Sequence, residues 1–589
     1  MKQKIKKDDI SKVEKMRHTL SHVLAQAVLN LYPKTKLGIG PAIENGFYYD
    51  FEFSKPITEE DLPTIEKEMR GIIKKDLPLR QEYKNRGEAI KYYKNKKQTY
   101  KLDLIKDIPD KEFSFYISGD NNFVDLCRGP HLNSTGEIKA FKLTKIAGAY
   151  WKGDEKKPML TRIYGIGFEN EKELKKYEQM IEEAAKRDHR KLGKSLDFFS
   201  FHEEGPGFVF WHPKGLRLRE NLINYWREVH EREGYEEIKT PTLLAMCAWD
   251  RSGHTETFLD KMFLAKTHEE EDLCYALKPM NCDGGMLIFK SKQVSYKDLP
   301  IRMGELGTVY RYERDGEIHG LMRAREFTQD DAHIYCTQEQ IKDELKKVIA
   351  LALEIYETFQ LELSHIEFST RPEKSIGSDE IWQKAETTMQ ETIEEEKVKH
   401  QINEGDGAFY GPKLDFHLKD SVGRTWQCAT IQLDFAQPEN FDLNYINEQG
   451  EKVRPVMIHR TIYGSLERFL GILIEHYAGK LPLWLAPEQI VIIPIAQRHL
   501  EYANKVAKKL EEKGLSCSIN YENETMQSRI RQSELMKIPY ILVVGDKEEE
   551  TQTVSIRPTG KKELGIMKVE ELLKILKEEL ASKSKESSL

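Results

Sequence analysis

Apolar positions recur at helical spacing in RHTLSHVLAQAVLNLY, and the GIGPAIENGFYYDFEF that follows turns on glycine and proline before alternating like a strand. A mixed α+β unit is therefore expected from the start of the chain through LTRIYGIGF. The segment ELKKYEQMIEEAAKRDHRKLGKSL is amphipathic and charge-rich, the pattern of a connecting helix, and it closes the first unit (1–194) near Lys194. From 195 to 485, helical patterns such as GLRLRENLINYWREVHEREG alternate with the strand candidates LGTVYRYE and RTWQCATIQLDF. Between 486 and 580 the order becomes strand, helix, strand, helix. QIVIIPI, HLEYANKVAKKLEEKG, SCSINY, YILVVG and MKVEELLKILKEEL together predict a small α/β domain. The polar residues 581–589, ASKSKESSL, read as a disordered tail.

Composition narrows the class. A chain of 589 residues, 39% hydrophobic and 32% charged, is a soluble multidomain protein with no apolar run of about eighteen residues to span a bilayer. The lysines of MKQKIKKDDISKVEK precede no apolar stretch, so no secretory signal is predicted and a cytoplasmic location is expected. Seven scattered cysteines argue for reduced thiols, so a cysteine with chemistry acts as a ligand or nucleophile. The net charge of −7 is mild and leaves a nucleic-acid partner open, because basic residues can be confined to one face.

Candidate chemistry is concentrated in LKPMNCDGG, YRYERDGEIHGLMRAREFTQDDAHIYC and MIHRTIYGSLERFLGILIEH. Taken singly, Cys282 is an ordinary small buried residue, His333 and His459 are ordinary histidines, and each arginine is an ordinary surface charge. Their crowding changes the weighing. Near the N-terminus, His18 and His22 are four apart on the first predicted helix and share a face, and Cys127 and His131 repeat that spacing in VDLCRGPH. One such pair is weak evidence of metal binding or catalysis, and two pairs are stronger.

These segments resemble those of threonyl-tRNA synthetases. GYEEIKTPTLL is similar to the first class II synthetase motif, and the segments around Arg311 and Arg468 to the second and third. The resemblance covers nearly the whole chain, from RHTLSH to IPYILVVGDKE. It implies an α+β multidomain protein with an α+β editing domain, a class II catalytic domain built on an antiparallel sheet, and a C-terminal α/β anticodon-binding domain. The small β-rich domain usual at the family's N-terminus is not expected here.

The activity implied is ATP-dependent ligation of L-threonine to tRNA(Thr) through a threonyl-adenylate. Cys282, His333 and His459 are then the ligands of one Zn²⁺, with a coordination position open to the substrate's amine and hydroxyl. A site that demands a polar bond rejects valine strongly, which an apolar pocket does not. By the same resemblance Asp331 and Gln432 hold the hydroxyl or amine, and Met280, Gln329 and Tyr410 line the pocket. Arg311 binds the α-phosphate and Arg323 the γ-phosphate, while Phe327 and Arg468 sandwich an adenine whose amino group Glu313 reads. Mg²⁺ accompanies ATP. His254, in WDRSGHTETF, is implied near the terminal ribose, where it helps deprotonate the attacking hydroxyl. The family is homodimeric, with the first motif at the interface.

Serine is one methyl smaller than threonine and carries the same amine and hydroxyl, so zinc cannot exclude it, and one methyl discriminates by only about 1–3 kcal/mol. A second, hydrolytic site answers this need. His18, His22, Cys127 and His131, with Lys101 and Asp125, resemble the family's editing site, where the four either hold a metal or orient and activate a water; the water role is favoured. For the anticodon, Asn523, Arg529, Lys547 and Glu548 match family contacts, with base reading by side-chain hydrogen bonds. The chain departs from the family at Asp283 and Gly285, where proline and histidine are common. It departs again at Gln527, and in the shortened stretch at Arg557, Pro558 and Thr559. An RNA-binding regulator without catalysis and a free-standing deacylase are the competing classes. Retention of both arginine motifs and all three zinc-type ligands weighs against them.

Overall fold

The structure is a computed structural model that describes residues 10–120, 122–266, 274–420, 423–561, 564–584 and 588–589. Two compact units emerge, residues 1–182 and 183–589. The boundary expected near Lys194 lies inside the second unit. The predicted connecting helix breaks at Asp188 into Glu171–Arg187 and His189–Ser195, because Asp188 leaves helical geometry and its carboxylate accepts from the Arg190 amide at 2.9 Å. The shorter helix is then held to the second unit by His189, whose amide and Nδ1 both reach Glu475 Oε1, at 3.0 and 2.7 Å.

In the first unit the helix Lys12–Leu31 starts on a reciprocal cap, the Glu14 amide donating to Ser11 Oγ and the Ser11 amide to the Glu14 carboxylate. Its buried face, including Leu20, Val23, Leu24 and Val28, packs with Phe47, Tyr49 and Phe51 of the strand Gly46–Glu52 and with Ile65 and Met69 of the helix Leu62–Lys74. A long antiparallel sheet pairs Gly46–Glu52 with Met159–Phe168 and that strand with Ala140–Tyr150. A second antiparallel sheet runs Leu79–Asn85, Glu112–Ser118, Phe123–Leu126.

The second unit is built on an eight-stranded sheet. Its order is Glu236–Glu237, Ile301–Tyr310, Glu326–Cys336, Val456–Thr461, Thr425–Asp434, Lys413–Lys419, Glu362–Ser369, His400–Asn403. Only the two edge pairings are parallel. One face is closed by the helices Pro213–Arg232, Ile341–Thr358 and Leu466–His476, which bury Trp226, Ile355 and Phe469 against Ile334, Ile366 and Ile431.

Towards the C-terminus, Ile490–Pro494 pairs in parallel with Cys517–Ile519 and Tyr540–Val544, as the alternating pattern predicts. Beyond that pattern lie the helix Met526–Leu535 and the antiparallel strands Thr553–Pro558 and Gly565–Lys568. The last helix runs to Ser582, past the point where the tail was expected to begin. Of the remaining tail, residues 585–587 lie outside the described residues, while the Ser588 amide donates to Glu579 Oε2 at 2.9 Å and Leu589 packs on the core. Among the described residues no helix is long and apolar enough to cross a membrane.

Candidate active site

The open face of the eight-stranded sheet forms the floor of a cavity of about 460 Å³. On the strand Glu326–Cys336, Phe327, Gln329, Asp331 and His333 fall at alternate positions, so all four project from the same face, and all four line the cavity. His459 stands opposite His333 on the next strand, and Gln432 opposite His459 on the one after. The two imidazole rings meet edge to face with centroids 5.1 Å apart. Cys282 enters the same wall from the first turn of the helix Cys282–Lys290, preceded by Met280. Tyr410 lies over His459, ring centroids 5.0 Å apart, and its hydroxyl donates to Gln432 Oε1.

Burial sets the electrostatics. It pushes the Cys282 thiol well above its ordinary range, aided by the neighbouring Asp283 carboxylate, and drives His333 well below the usual histidine value. Asp331 is raised to about 6, first by burial, while Asn281 Nδ2 donates to it at 2.6 Å. His459 Nε2 is 2.8 Å from Asp434 Oδ2, which fixes Nε2 as the protonated nitrogen and leaves Nδ1 with the lone pair. His333 Nδ1 is buried without a hydrogen-bond partner. A thiol and two imidazoles with nitrogens left uncommitted form a zinc donor set, so these residues fit such an ion. The Cys282 sulfur lies 3.4 Å from Asp283 Oδ1, and Gly285 leaves room beside His333, where a Cβ would stand 3.4 Å from Nδ1.

Arginines occupy the other half of the cavity. Arg311 lies one residue beyond the strand Ile301–Tyr310, its Nε donates to the Pro279 carbonyl at 3.1 Å, and its guanidinium sits 5.1 Å from the Phe327 ring centre. Arg323 donates to Glu313 Oε2 through Nε and Nη2, at 3.1 and 2.8 Å, and Lys261 reaches the same oxygen at 3.2 Å. Glu313 is therefore engaged by cations here. Arg468, in the first turn of the helix Leu466–His476, is anchored by Nε to the Met322 carbonyl at 3.0 Å. His254 is the exception among the expected residues. It does not line the cavity: it is 1% exposed, with Nδ1 2.6 Å from Ser252 Oγ and Nε2 3.1 Å from Met280 Sδ, and burial lowers it to about 4.

A separate constellation lies within the first unit. His18 and His22 stand one helical turn apart on Lys12–Leu31, and Cys127 and His131 follow the strand Phe123–Leu126. Their ligand-type atoms all lie within 4.8 Å of one another. The Cys127 sulfur is 3.2 Å from both His18 Nε2 and His131 Nε2, and it accepts from the Gly129 amide at 3.2 Å. Gly129 has a φ of +66°, and a Cβ there would meet the Tyr116 hydroxyl at 2.3 Å, so this loop requires glycine. Burial drives His22 and His131 well below the usual value and lowers His18. Lys101 and Asp125 lie behind the four as a buried pair 2.7 Å apart, with Tyr49 donating to Asp125 at 2.5 Å and His22 Nε2 3.9 Å away. They support His22.

Comparison with known proteins finds a matching domain in each unit. The tRNA synthetase class II core domain (G, H, P, S and T) matches residues 263–477, and the threonyl and alanyl tRNA synthetase second additional domain matches 114–164. The threonine–tRNA ligase of Carboxydothermus hydrogenoformans is 53% identical over 568 residues, 96% of this chain and 89% of that protein. The chain belongs to the threonine–tRNA ligase family. The corresponding ligase of Acetivibrio thermocellus is 53% identical over 98% of the chain and 90% of its own length. Among solved structures, the RNA-binding domain of threonyl-tRNA synthetase from Cryptosporidium parvum aligns with TM-score 0.64 and 38% identity, covering 68% of this chain and 99% of that one.

An anticodon binding domain matches residues 489–579. Of the contacts expected there, Asn523 and Lys547 are exposed, while Arg529 and Glu548 are buried. Arg529 is 5% exposed and its Nη1 donates to the carbonyls of Pro494 and Asn520, both at 3.0 Å, which ties its helix to two strand ends. Glu548 accepts from the Gly545 amide at 2.9 Å and caps its own helix. Sequence reasoning missed Asp434, which strand alternation from Gln432 could have found. It also missed His189, whose Nε2 accepts from the Leu321 amide at 3.0 Å in the loop lining the cavity.

Proposed function

We propose that the chain ligates L-threonine to tRNA(Thr) through a threonyl-adenylate in the second unit and hydrolyses seryl-tRNA(Thr) in the first. The reading rests on one observation above all: Cys282, His333 and His459 line the same cavity as Arg311, Arg323 and Arg468. Cys282, His333 and His459 hold Zn²⁺, which when bound supplies an open position for the amino acid's amine and hydroxyl. Asp331 and Gln432 stand on the same floor, Tyr410 lies over it beside His459, and the three orient those groups. Arg311, deep in the cavity, meets the α-phosphate of an ATP that enters with Mg²⁺, and Arg323 exchanges Glu313 for the γ-phosphate. The exchange frees the Glu313 carboxylate to accept from the adenine amino group, between Phe327 and Arg468. His254 positions Met280 at the cavity wall and does not touch the reacting atoms.

In the first unit, burial keeps the three imidazoles neutral near pH 7, so they can accept a proton from a water and return it to the leaving ribose oxygen. Asn523 and Lys547 remain candidates for anticodon contacts. A homodimer through the first motif is supported by the strand Glu236–Glu237 at the edge of the large sheet and by the exposed Leu243, Leu259 and Leu264 nearby in sequence.

The deciding measurement pairs zinc content with threonine-dependent pyrophosphate exchange. One zinc per chain is expected in the wild type, with both zinc and exchange lost in Cys282→Ala; exchange that survives loss of the ion sinks the assignment.

A further inference from the structure

The large sheet carries a second group of ligand-type side chains apart from those above. His365, Glu367 and His417 stand on the neighbouring antiparallel strands Glu362–Ser369 and Lys413–Lys419, with His365 directly opposite His417. His365 and Glu367 are two residues apart, so both project from one face. Each histidine follows a register irregularity, between Leu363 and His365 on one strand and between Asp415 and His417 on the other, the kind of irregularity that re-aims a side chain.

The ligand-type atoms of the three lie within 4.8 Å of one another. Glu367 Oε1 is 3.2 Å from His365 Nε2, and Oε2 is 3.6 Å from His417 Nε2. The two rings are stacked, centroids 4.5 Å apart and planes 6° from parallel.

A purely structural reading makes Glu367 a hydrogen-bonded tie between two strands. Two observations exceed it. His417 Nε2 is buried without a hydrogen-bond partner, although it is the nitrogen that faces the carboxylate. Among the described residues no lysine or arginine forms an ion pair with Glu367. The nearby Lys413 is taken by Asp415 and Asp406, at 2.9 and 3.3 Å, and Asn403 Nδ2 donates to Glu367 at 3.3 Å. A carboxylate is thus faced by two imidazoles, one of them with an unused nitrogen.

We propose that His365, Glu367 and His417 form an additional site for a divalent transition-metal ion, of the imidazole–carboxylate class that takes Zn²⁺ or Co²⁺. Metal bonds of about 2.0–2.1 Å at a tetrahedral centre place neighbouring ligand atoms roughly 3.4 Å apart, and the two nitrogen–oxygen separations bracket that value. The stacked rings turn towards each other to aim their lone pairs, which half-buried strand side chains can do, and water completes the coordination. Two imidazoles and one carboxylate disfavour Mg²⁺ and Ca²⁺, which demand oxygen ligands. Asp415 stands opposite Glu367 and lines the main cavity, so the ion adds a fixed positive charge beside that wall.

Enzyme stripped of weakly held metal, so that it carries one zinc per chain, is titrated with Co²⁺ in a Cys127→Ala background, which disables the four-residue cluster of the first unit. One equivalent is expected, with affinity reduced at least tenfold by His365→Ala or His417→Ala and less by Glu367→Gln. Threonine-dependent pyrophosphate exchange of the zinc-loaded His365→Ala enzyme stays unchanged. Equal uptake by the His365→Ala/His417→Ala double variant, or no uptake by the parent, overturns the proposal. Crystals of the unmutated chain soaked in Co²⁺ test it independently of how the variants fold. An anomalous peak at bonding distance from both rings supports the site, and a map without one overturns it.

Discussion

Asp434 shows how one unanticipated carboxylate governs a site. It accepts from His459 Nε2 and so decides which ring nitrogen keeps a lone pair. Partners of this kind fix tautomer and orientation of a ligating histidine, and losing one costs roughly 10- to 100-fold in metal affinity. Asp434→Ala is expected to retain the fold and to lose zinc to a chelator at concentrations that leave the wild type loaded; competition dialysis reads the difference.

The histidines of the first unit carry a pH dependence of definite sign. Burial holds His22 and His131 well below the ordinary 6.5 in the folded chain. Above that value both folded and unfolded chains are neutral at these sites and their contribution to stability is complete. As pH falls below it, the unfolded chain takes up protons that the folded chain refuses. Stability then declines by up to about 1.4 kcal/mol per pH unit for each histidine. Hydrogen exchange along the helix Lys12–Leu31 at pH 7.5 and 5.5 measures this, and a wild type equally protected at both values contradicts it.

Among the elements, the short helix His189–Ser195 has a role that its pattern did not announce. His189 is fully buried, donates through Nδ1 to Glu475 and accepts through Nε2 from the Leu321 amide. Gly320, at φ +53°, lets the loop approach, since a Cβ there would lie 2.3 Å from that same nitrogen. Leu321 and Met322 line the cavity, and Met322 anchors Arg468. Removing one such hydrogen bond costs about 1 kcal/mol, or roughly fivefold. His189→Ala is therefore expected to raise the KM for ATP by about that factor while leaving the KM for threonine close to wild type. Equal changes in both would indicate a general loss of structure instead.

For the whole molecule, the two constellations lie in two compact units, so their chemistries are expected to separate under mutation. His18→Ala should leave threonyl-tRNA formation intact while seryl-tRNA(Thr) accumulates, read by supplying serine and following charged tRNA over time. Serine clearance at the wild-type rate would remove His18 from the editing assignment.

Local patterning was enough for much of this protein. The 3.6-residue and two-residue periodicities marked the first helix, the strand RTWQCATIQLDF and the alternating C-terminal elements, because burial of one face depends mainly on neighbours in sequence. Resemblance to the family's motifs likewise brought Cys282, His333, His459 and the arginines forward as one group. Exposure was not legible in the same way. Arg529 and Glu548 look like solvent-facing residues in sequence, yet carbonyls at two strand ends take up the Arg529 guanidinium and the Glu548 carboxylate turns back to the N-terminus of its own helix. His254 could be placed near the site, but only packing against Met280 and Ser252 removed it from the cavity surface. The pairing of His365 with His417 has the same origin. Fifty-two positions separate them, and nothing local to either reports the cross-strand register that sets their rings face to face. Periodicity determined the elements of this chain; which polar side chains meet, and what charge each carries, was decided by register and desolvation, which exist only in the folded molecule.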